Sequence, residues 1–254
     1  MLFRSLMDYY ELTMSNGYFE KGFKDKMVVF DMFYRKNPDN GGFVVSAGLE
    51  QLIEYIENMH FSKEDIEFLR SKGEFSEGFL QYLADFKFTG NIDALPEGTI
   101  CYPNTPIVTV TAPVIEAQLI ETMLLLTMNF QSLIATKASR ICRTAAESGA
   151  VVMEFGARRA HGGDAAILGA RAAYIGGAAA TATVMADERF GVPAIGTMAH
   201  SWIQFSDNEY EAFKAYAEVY PDNCTLLIDT YDILNSGLVN AIRVAKEVLE
   251  DRKS

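Results

Sequence analysis

Val151-Val-Met-Glu-Phe-Gly-Ala-Arg-Arg159 is the stretch on which the fold turns. A short β-branched run ends in glycine and two adjacent arginines, and from there the chain alternates strand-like runs with helical patterns. Residues 151–155, 179–184, 194–199 and 225–229 are strand candidates, while 164–174, 185–189, 207–219 and 234–252 carry helical spacing. Parallel strands need long crossover connections, so this rhythm predicts an α/β unit: a parallel sheet covered by helices, doubly wound or bent into a barrel. Working residues of such folds stand at the carboxyl ends of the strands. Glu154 to Arg159, Thr181 with Thr183, Thr197-Met-Ala-His200 and Asp229-Thr-Tyr-Asp232 occupy those ends. A closed barrel takes eight βα units and about 250 residues. Residues 151–254 have room for four, so the expectation is half a barrel.

Working back toward the start, residues 113–138 are the most apolar stretch, but Glu116, Glu121 and Asn129 interrupt it. That predicts a buried helix and no membrane span. Residues 1–112 read as an α+β domain, leaving 113–254 as a helical connection followed by the first four βα units of the barrel. Within the α+β domain, 27–35 and 42–46 are strand-like, and the turn-rich Asn37-Pro-Asp-Asn-Gly-Gly42 between them predicts a hairpin. Helical spacing covers 48–58, Ser62-Lys-Glu-Asp65 is a capping-box start, and Ile107-Val-Thr-Val-Thr111 is a strand set among four prolines.

The 254 residues are 49% hydrophobic and 22% charged, which excludes a disordered or fibrous chain. A net charge of −12 is the wrong sign for a general nucleic-acid or anionic-membrane binder. Between Lys137 and Arg171 the sign reverses, with six basic residues against three acidic ones, so a polyanionic ligand is expected there. Cys101, Cys142 and Cys224 are widely spaced and lack a CxxC pair, which argues against a disulfide framework or structural zinc. The opening run Met1 to Met7 meets Asp8 at once without an export signal, and a reducing cytoplasm is the expected compartment.

Each candidate residue has a chemical and a structural reading. Arg158 and Arg159 offer guanidinium forks for a phosphate, or else they pair with Glu154 and Asp164. Gly156 to Ala180 holds 16 glycines or alanines in 25 positions. Such a run lets helices pack closely, and Gly162-Gly163, just before a helix, is the part most suited to a ligand. His200 at a strand end is a base, a nucleophile or a hydrogen-bonded structural residue. Asp8-Tyr-Tyr10 is core or interface surface, or a platform for a flat heterocycle. Asp229 and Asp232 meet a metal or sugar hydroxyls, or cap the next helix. No P-loop, GxGxxG, nucleophile elbow or HExxH pattern is present, which argues against P-loop kinases, Rossmann dehydrogenases, hydrolases and zincins.

Seven stretches taken together carry a resemblance: Asp8-Tyr-Tyr-Glu-Leu-Thr-Met14, Phe33-Tyr-Arg-Lys-Asn-Pro38, Ala47-Gly-Leu-Glu50, Asn129-Phe-Gln-Ser-Leu-Ile-Ala-Thr-Lys137, Glu154-Phe-Gly-Ala-Arg-Arg159, Gly196-Thr-Met-Ala-His-Ser201 and Asp229-Thr-Tyr-Asp232. The chain resembles the N-terminal portion of nicotinate phosphoribosyltransferases. The resemblance implies a type II phosphoribosyltransferase fold: an N-terminal α+β domain and then an α/β barrel, here about half present and continued in longer family members. It implies a homodimer with shared sites. The implied reaction joins nicotinate to 5-phosphoribosyl 1-diphosphate (PRPP), coupled to ATP hydrolysis with Mg²⁺ carried mainly by the substrate diphosphate and no metal ligands on the chain. This is a ligase step of pyridine nucleotide salvage toward NAD.

By resemblance, Tyr10 stacks on the pyridine ring from the neighbouring subunit and Phe155 covers its other face. Arg158 meets the nicotinate or phosphate end, and Thr197 lies beside nicotinate. Arg158, Arg159, Thr181 and Asp229 serve the PRPP side, and His200 matches the histidine that ATP phosphorylates. Nicotinamide-using relatives carry an aspartate where this chain has Ala182, which favours the acid over the amide. The alternatives are a nicotinamide or quinolinate phosphoribosyltransferase, or a non-catalytic dimerising paralogue.

Overall fold

A computed structural model describes residues 6–249, which divide into two compact units, 6–194 and 195–249. Met1 to Ser5 of the opening apolar run and residues 250–254, including the end of the expected 234–252 helix, lie outside the described residues.

The first unit opens with α1 (Tyr9–Glu20), β1 (Met27–Met32), β2 (Val44–Val45), α2 (Leu49–Asn58), α3 (Lys63–Ser71) and α4 (Glu77–Ala84). Then come β3 (Asn91–Ala94), β4 (Ile100–Cys101), β5 (Val108–Pro113), α5 (Val114–Leu119) and α6 (Glu121–Glu147). It closes with β6 (Met153–Glu154), α7 (Gly163–Ile175), β7 (Ala180–Thr181) and α8 (Val184–Phe190). β5 is the central strand of an antiparallel sheet ordered β1-β5-β3, running from Met27 opposite Pro113 to Met32 opposite Val108. Its alternation buries Val108, Val110 and Ala112 on one face. They join a core with Leu52 and Tyr55 of α2 and Phe79, Leu80 and Leu83 of α4. Ser62 caps α3 as the spacing predicts: its hydroxyl accepts from Asp65 N at 3.1 Å, and its own amide donates to Asp65 Oδ2 at 2.8 Å.

The expected hairpin of 27–35 with 42–46 does not form: β1 pairs β5, and β2 pairs β4. Asp39 and Asn40 take left-handed φ of 54° and 53°, and the turn is pinned to α6 by Lys137 on Asp39 and Arg140 on the Pro38 carbonyl. A turn anchored to a helix carries the chain away from β1. The backbone of the next segment is also claimed by α6. Thr136 Oγ1 accepts from Val45 N at 2.9 Å, and Ser132 Oγ accepts from Ala47 N at 3.0 Å and donates to Ala47 O at 3.1 Å.

The apolar stretch 113–138 is helical but broken at Ile120 into α5 and α6. The small-residue run serves close packing. Ala170, Ala172 and Ala173 of α7 are buried, and a Cβ on Gly176 would stand 2.4 Å from the Ala135 carbonyl of α6. Gly176→Val is therefore expected to destabilise the chain by about 1–3 kcal/mol in urea unfolding. A loss below a few tenths would show that α6 and α7 yield freely.

β6 and β7 pair in parallel, Met153 opposite Ala180 and Glu154 opposite Thr181, and Ala194 adds one parallel bridge to Thr181. That is the extent of the parallel sheet among the described residues. Of the expected strands 194–199 and 225–229, the first contributes only this bridge and the second is neither helix nor strand. β-branched composition suits a strand, but a ladder needs a neighbour, and 225–229 has none among the described residues.

The second unit holds α9 (His200–Phe205), α10 (Glu209–Val219) and α11 (Leu238–Val244), with π-helical turns at Ile233–Gly237 and Ala245–Leu249. Its core is Ile203, Ala212, Phe213, Ala217 and Val244. His200 thus begins a helix instead of ending a strand. No described helix is long and apolar enough to cross a membrane, and the three cysteines are free thiols.

Candidate functional site

The candidate residues gather into two groups, one in each unit. In the first, β6 and β7 end side by side and one carboxylate ties them together. Glu154 Oε2 accepts from Thr181 Oγ1 at 2.8 Å and Oε1 accepts from Gly156 N at 2.5 Å. Beyond β6 the chain makes a single 3₁₀ turn, Ala157–Arg159, closed by Arg159 N donating to Gly156 O at 2.8 Å. That turn leaves Phe155, Arg158 and Arg159 exposed at the rim. Glu154 is occupied by its own strand ends, and among the described residues neither Arg158 nor Arg159 has an ion-pair partner. The pairing of these arginines with Glu154 and Asp164 is thus set aside.

Gly162 follows with φ of 125° and open space where a side chain would stand, and α7 starts at Gly163. Two free guanidinium forks before an exposed helix N-terminus suit an anion, because fork geometry, amide donors and helix dipole act together.

Of the other four basic residues of the island, three are committed to structure and the fourth, Arg143, is exposed on α6. Lys137 and Arg140 hold Asp39, and Arg171 lies buried on Glu97 and Glu50. Thr181 is fully buried; besides donating to Glu154, its hydroxyl accepts from Thr183 N at 3.0 Å. It sits inside the strand pair and supports the rim from below. Ala182 is exposed just past β7, with its amide bonded to Glu154 O at 3.0 Å.

Tyr10 stands apart from the rim group. Tyr10 is 43% exposed, and its hydroxyl donates to Glu121 Oε1 at 2.9 Å at the start of α6. Burial, the hydrogen bond and the negative charges of Glu121, Glu11 and Asp8 push the phenol up to about 12, so it stays a donor at neutral pH.

In the second unit, two of the quoted stretches converge. His200 Nδ1 lies 3.2 Å from Thr230 Oγ1, joining Gly196-Thr-Met-Ala-His-Ser201 to Asp229-Thr-Tyr-Asp232. Thr197, His200 and Asp229 are exposed. Asp232 is a cap: Oδ1 accepts from Leu234 N at 3.1 Å and Asn235 N at 2.9 Å. Hydrogen bonds from Asn235 hold its carboxyl below the usual range. Neither Glu121 nor Thr230 was singled out by the sequence. Only Thr230 carried a signal, its place between Asp229 and Asp232.

Residues 6–129 match the description of the nicotinate phosphoribosyltransferase (NAPRTase) N-terminal domain. The chain belongs to the nicotinate phosphoribosyltransferase family. It is 48% identical over 240 residues to the nicotinate phosphoribosyltransferase of Bacillus subtilis, covering 94% of this chain and 48% of that protein. It is 44% identical over 241 residues to nicotinate phosphoribosyltransferase pncB2 of Mycobacterium tuberculosis, covering 95% and 51%. Among solved structures, human nicotinic acid phosphoribosyltransferase superposes with a TM-score of 0.86 at 29% identity, over 95% of this chain and 58% of that one. A nicotinate-nucleotide pyrophosphorylase from Pyrococcus furiosus follows at 0.73 and 26%, over 96% and 54%. The chain spans about half the length of the curated relatives it matches.

Proposed function

We propose that this chain forms part of a nicotinate phosphoribosyltransferase that makes nicotinate mononucleotide and diphosphate from nicotinate and PRPP with ATP hydrolysis, in NAD salvage. The observation that carries this reading is the 44–48% identity, sustained along nearly the whole chain, to proteins of that name. The geometry is consistent with it. In the reaction, the pyridine nitrogen attacks the ribose anomeric carbon as the bond to diphosphate breaks. That chemistry needs alignment and anion stabilisation more than a base.

Arg158 and Arg159 supply unpaired positive charge at the rim: Arg158 serves the nicotinate carboxylate or a phosphate, and Arg159 the PRPP phosphates. Phe155 offers an exposed ring beside them for the pyridine. Tyr10 offers another from the neighbouring subunit of a homodimer, and Thr197 lies beside nicotinate. Asp229 serves the ribose, while Thr181 acts indirectly by holding Glu154. His200 accepts the γ-phosphoryl group of ATP, with Thr230 orienting the ring. Mg²⁺ enters on the substrate diphosphate in this reading. There it supplies Lewis-acid charge to the leaving group. The domain reading goes with this: 1–112 as an α+β domain, 113–254 as the connection and the first half of a type II barrel, in a cytoplasmic enzyme.

His200 phosphorylation is directly testable. Incubation with γ-³²P-ATP is expected to leave acid-labile, base-stable label on the chain that His200→Asn abolishes; label that persists in His200→Asn refutes the assignment. Position 182 tests substrate choice. Ala182→Asp places a carboxylate at the exposed end of β7, where it repels an acid and accepts from an amide. In the complete enzyme it is expected to move kcat/KM by at least about tenfold from nicotinate toward nicotinamide. Unchanged preference would remove residue 182 from the specificity account.

A further inference from the structure

Glu121 stands at the first residue of α6 with both carboxylate oxygens engaged. Oε2 accepts from the buried Gln118 Nε2 at 2.6 Å, and Oε1 accepts from the Tyr10 hydroxyl at 2.9 Å. The next residue locks the same corner. Thr122 N and Oγ1 donate to Glu11 Oε1 at 2.9 and 2.6 Å, and Asp8 N donates to Thr122 Oγ1 at 3.2 Å. Glu11 is fully buried, so α1 is clamped to the start of α6 on both sides of Tyr10. The neighbouring Tyr9 turns elsewhere, its hydroxyl on Glu74 at 2.9 Å and its ring edge-on to Phe75. Tyr10 is 43% exposed, yet its hydroxyl is held by a carboxylate whose other oxygen is engaged by Gln118.

We propose that Glu121 is a positioning residue for nicotinate, holding the Tyr10 ring by its hydroxyl in the orientation that stacks on the pyridine. This rests on the reading of Tyr10 given under Proposed function. A tyrosine whose χ angles are set before the ligand arrives loses less rotamer entropy on stacking. Gln118 fixes Glu121, Glu121 fixes Tyr10, and the ordering is completed during folding instead of during binding. The device acts on ground-state binding, so its loss moves KM for nicotinate and leaves kcat and the PRPP KM alone.

A double-mutant cycle tests this in the enzyme completed by joining this chain to the remaining half of the Bacillus subtilis relative. Tyr10→Phe keeps the ring and loses the hydroxyl; Glu121→Leu loses the acceptor. Each is expected to raise the nicotinate KM about tenfold, the effect of one hydrogen bond to a charged group, and the double variant no further. Glu121→Gln, which retains an acceptor, is expected to recover most of the loss. A second readout uses this chain alone: NMR titration of the Tyr10 ring in Glu121→Leu is expected to bring its phenol back toward the ordinary value of 10.

If Tyr10→Ala raises the nicotinate KM while Tyr10→Phe and Glu121→Leu leave it unchanged, the ring stacks without positioning and the inference is overturned. If the unsubstituted enzyme makes no nicotinate mononucleotide, the proposed function itself falls. A titration unaffected by Glu121→Leu overturns the contact on which the inference stands.

Discussion

Arg171→Leu is expected to cost the first unit about 3–5 kcal/mol in urea unfolding, the largest loss from any single substitution considered. Arg171 is 8% exposed on α7 and reaches across to two other segments. Its Nη1 and Nη2 donate to Glu97 Oε1 and Oε2 at 2.9 and 2.6 Å, and Nη2 also meets Glu50 of α2. Glu97 Oε1 in turn accepts from Gly48 N at 2.5 Å and Leu49 N at 3.1 Å, closing the start of α2. Burial would raise the Glu97 carboxyl, but Arg171 and these two amides outweigh it and hold the group below its usual range. Without the guanidinium, Glu97 is left as an uncompensated, largely buried charge. The double variant Arg171→Leu/Glu97→Gln removes both charges and is expected to be less impaired than Arg171→Leu alone. A single variant within about 1 kcal/mol of the parent would contradict the view that α2, α7 and the segment at 97 are joined by this pair.

Glu11→Gln is expected to act in the opposite direction, and only at higher pH. Glu11 is fully buried, and its Oε2 has no hydrogen-bond partner. Burial, with Glu121 and Asp8 adding to it, outweighs the two bonds from Thr122 and pushes the carboxyl up to about 7 from 4.5. With the folded-state value above the unfolded one, folding favours the protonated acid. The contribution of Glu11 to stability is complete below about pH 4.5 and is lost as pH rises from there through about 7. Above pH 8 the ionised group costs about 3 kcal/mol, a penalty that glutamine avoids. Urea midpoints should therefore coincide for parent and variant near pH 4 and diverge toward pH 8.5, with the variant the more stable. A constant offset across this range would show that Glu11 does not titrate in the folded state.

Helices with sharp local signals were legible from the sequence, α2 by its spacing and α3 by Ser62 and Asp65. The parallel unit was legible as far as β6, α7 and β7. What failed to read were partnerships. Asn37 to Gly42 has hairpin composition, yet Lys137 and Arg140, about 100 positions away, decide where that turn lies. Residues 225–229 have strand composition but no adjacent strand among the described residues. In the candidate site, Arg158, Arg159 and His200 were visible because charge and glycine spacing mark them. Glu121 was not, since a carboxylate bound to a distant tyrosine looks like any other acidic residue. The basic island divides by the same logic: Arg171 is spent on two carboxylates, and Arg158 and Arg159 remain for a ligand.

The most direct test of the proposed activity is product formation by the completed enzyme, with this chain replacing the matching half of the Bacillus subtilis relative. Given nicotinate, PRPP, ATP and Mg²⁺, it is expected to release nicotinate mononucleotide and diphosphate. Arg158→Ala should lower kcat/KM by at least about a hundredfold, as expected for loss of a charged fork at the reacting end. Turnover of nicotinamide or quinolinate in preference to nicotinate, or a folded enzyme indifferent to Arg158, would contradict it.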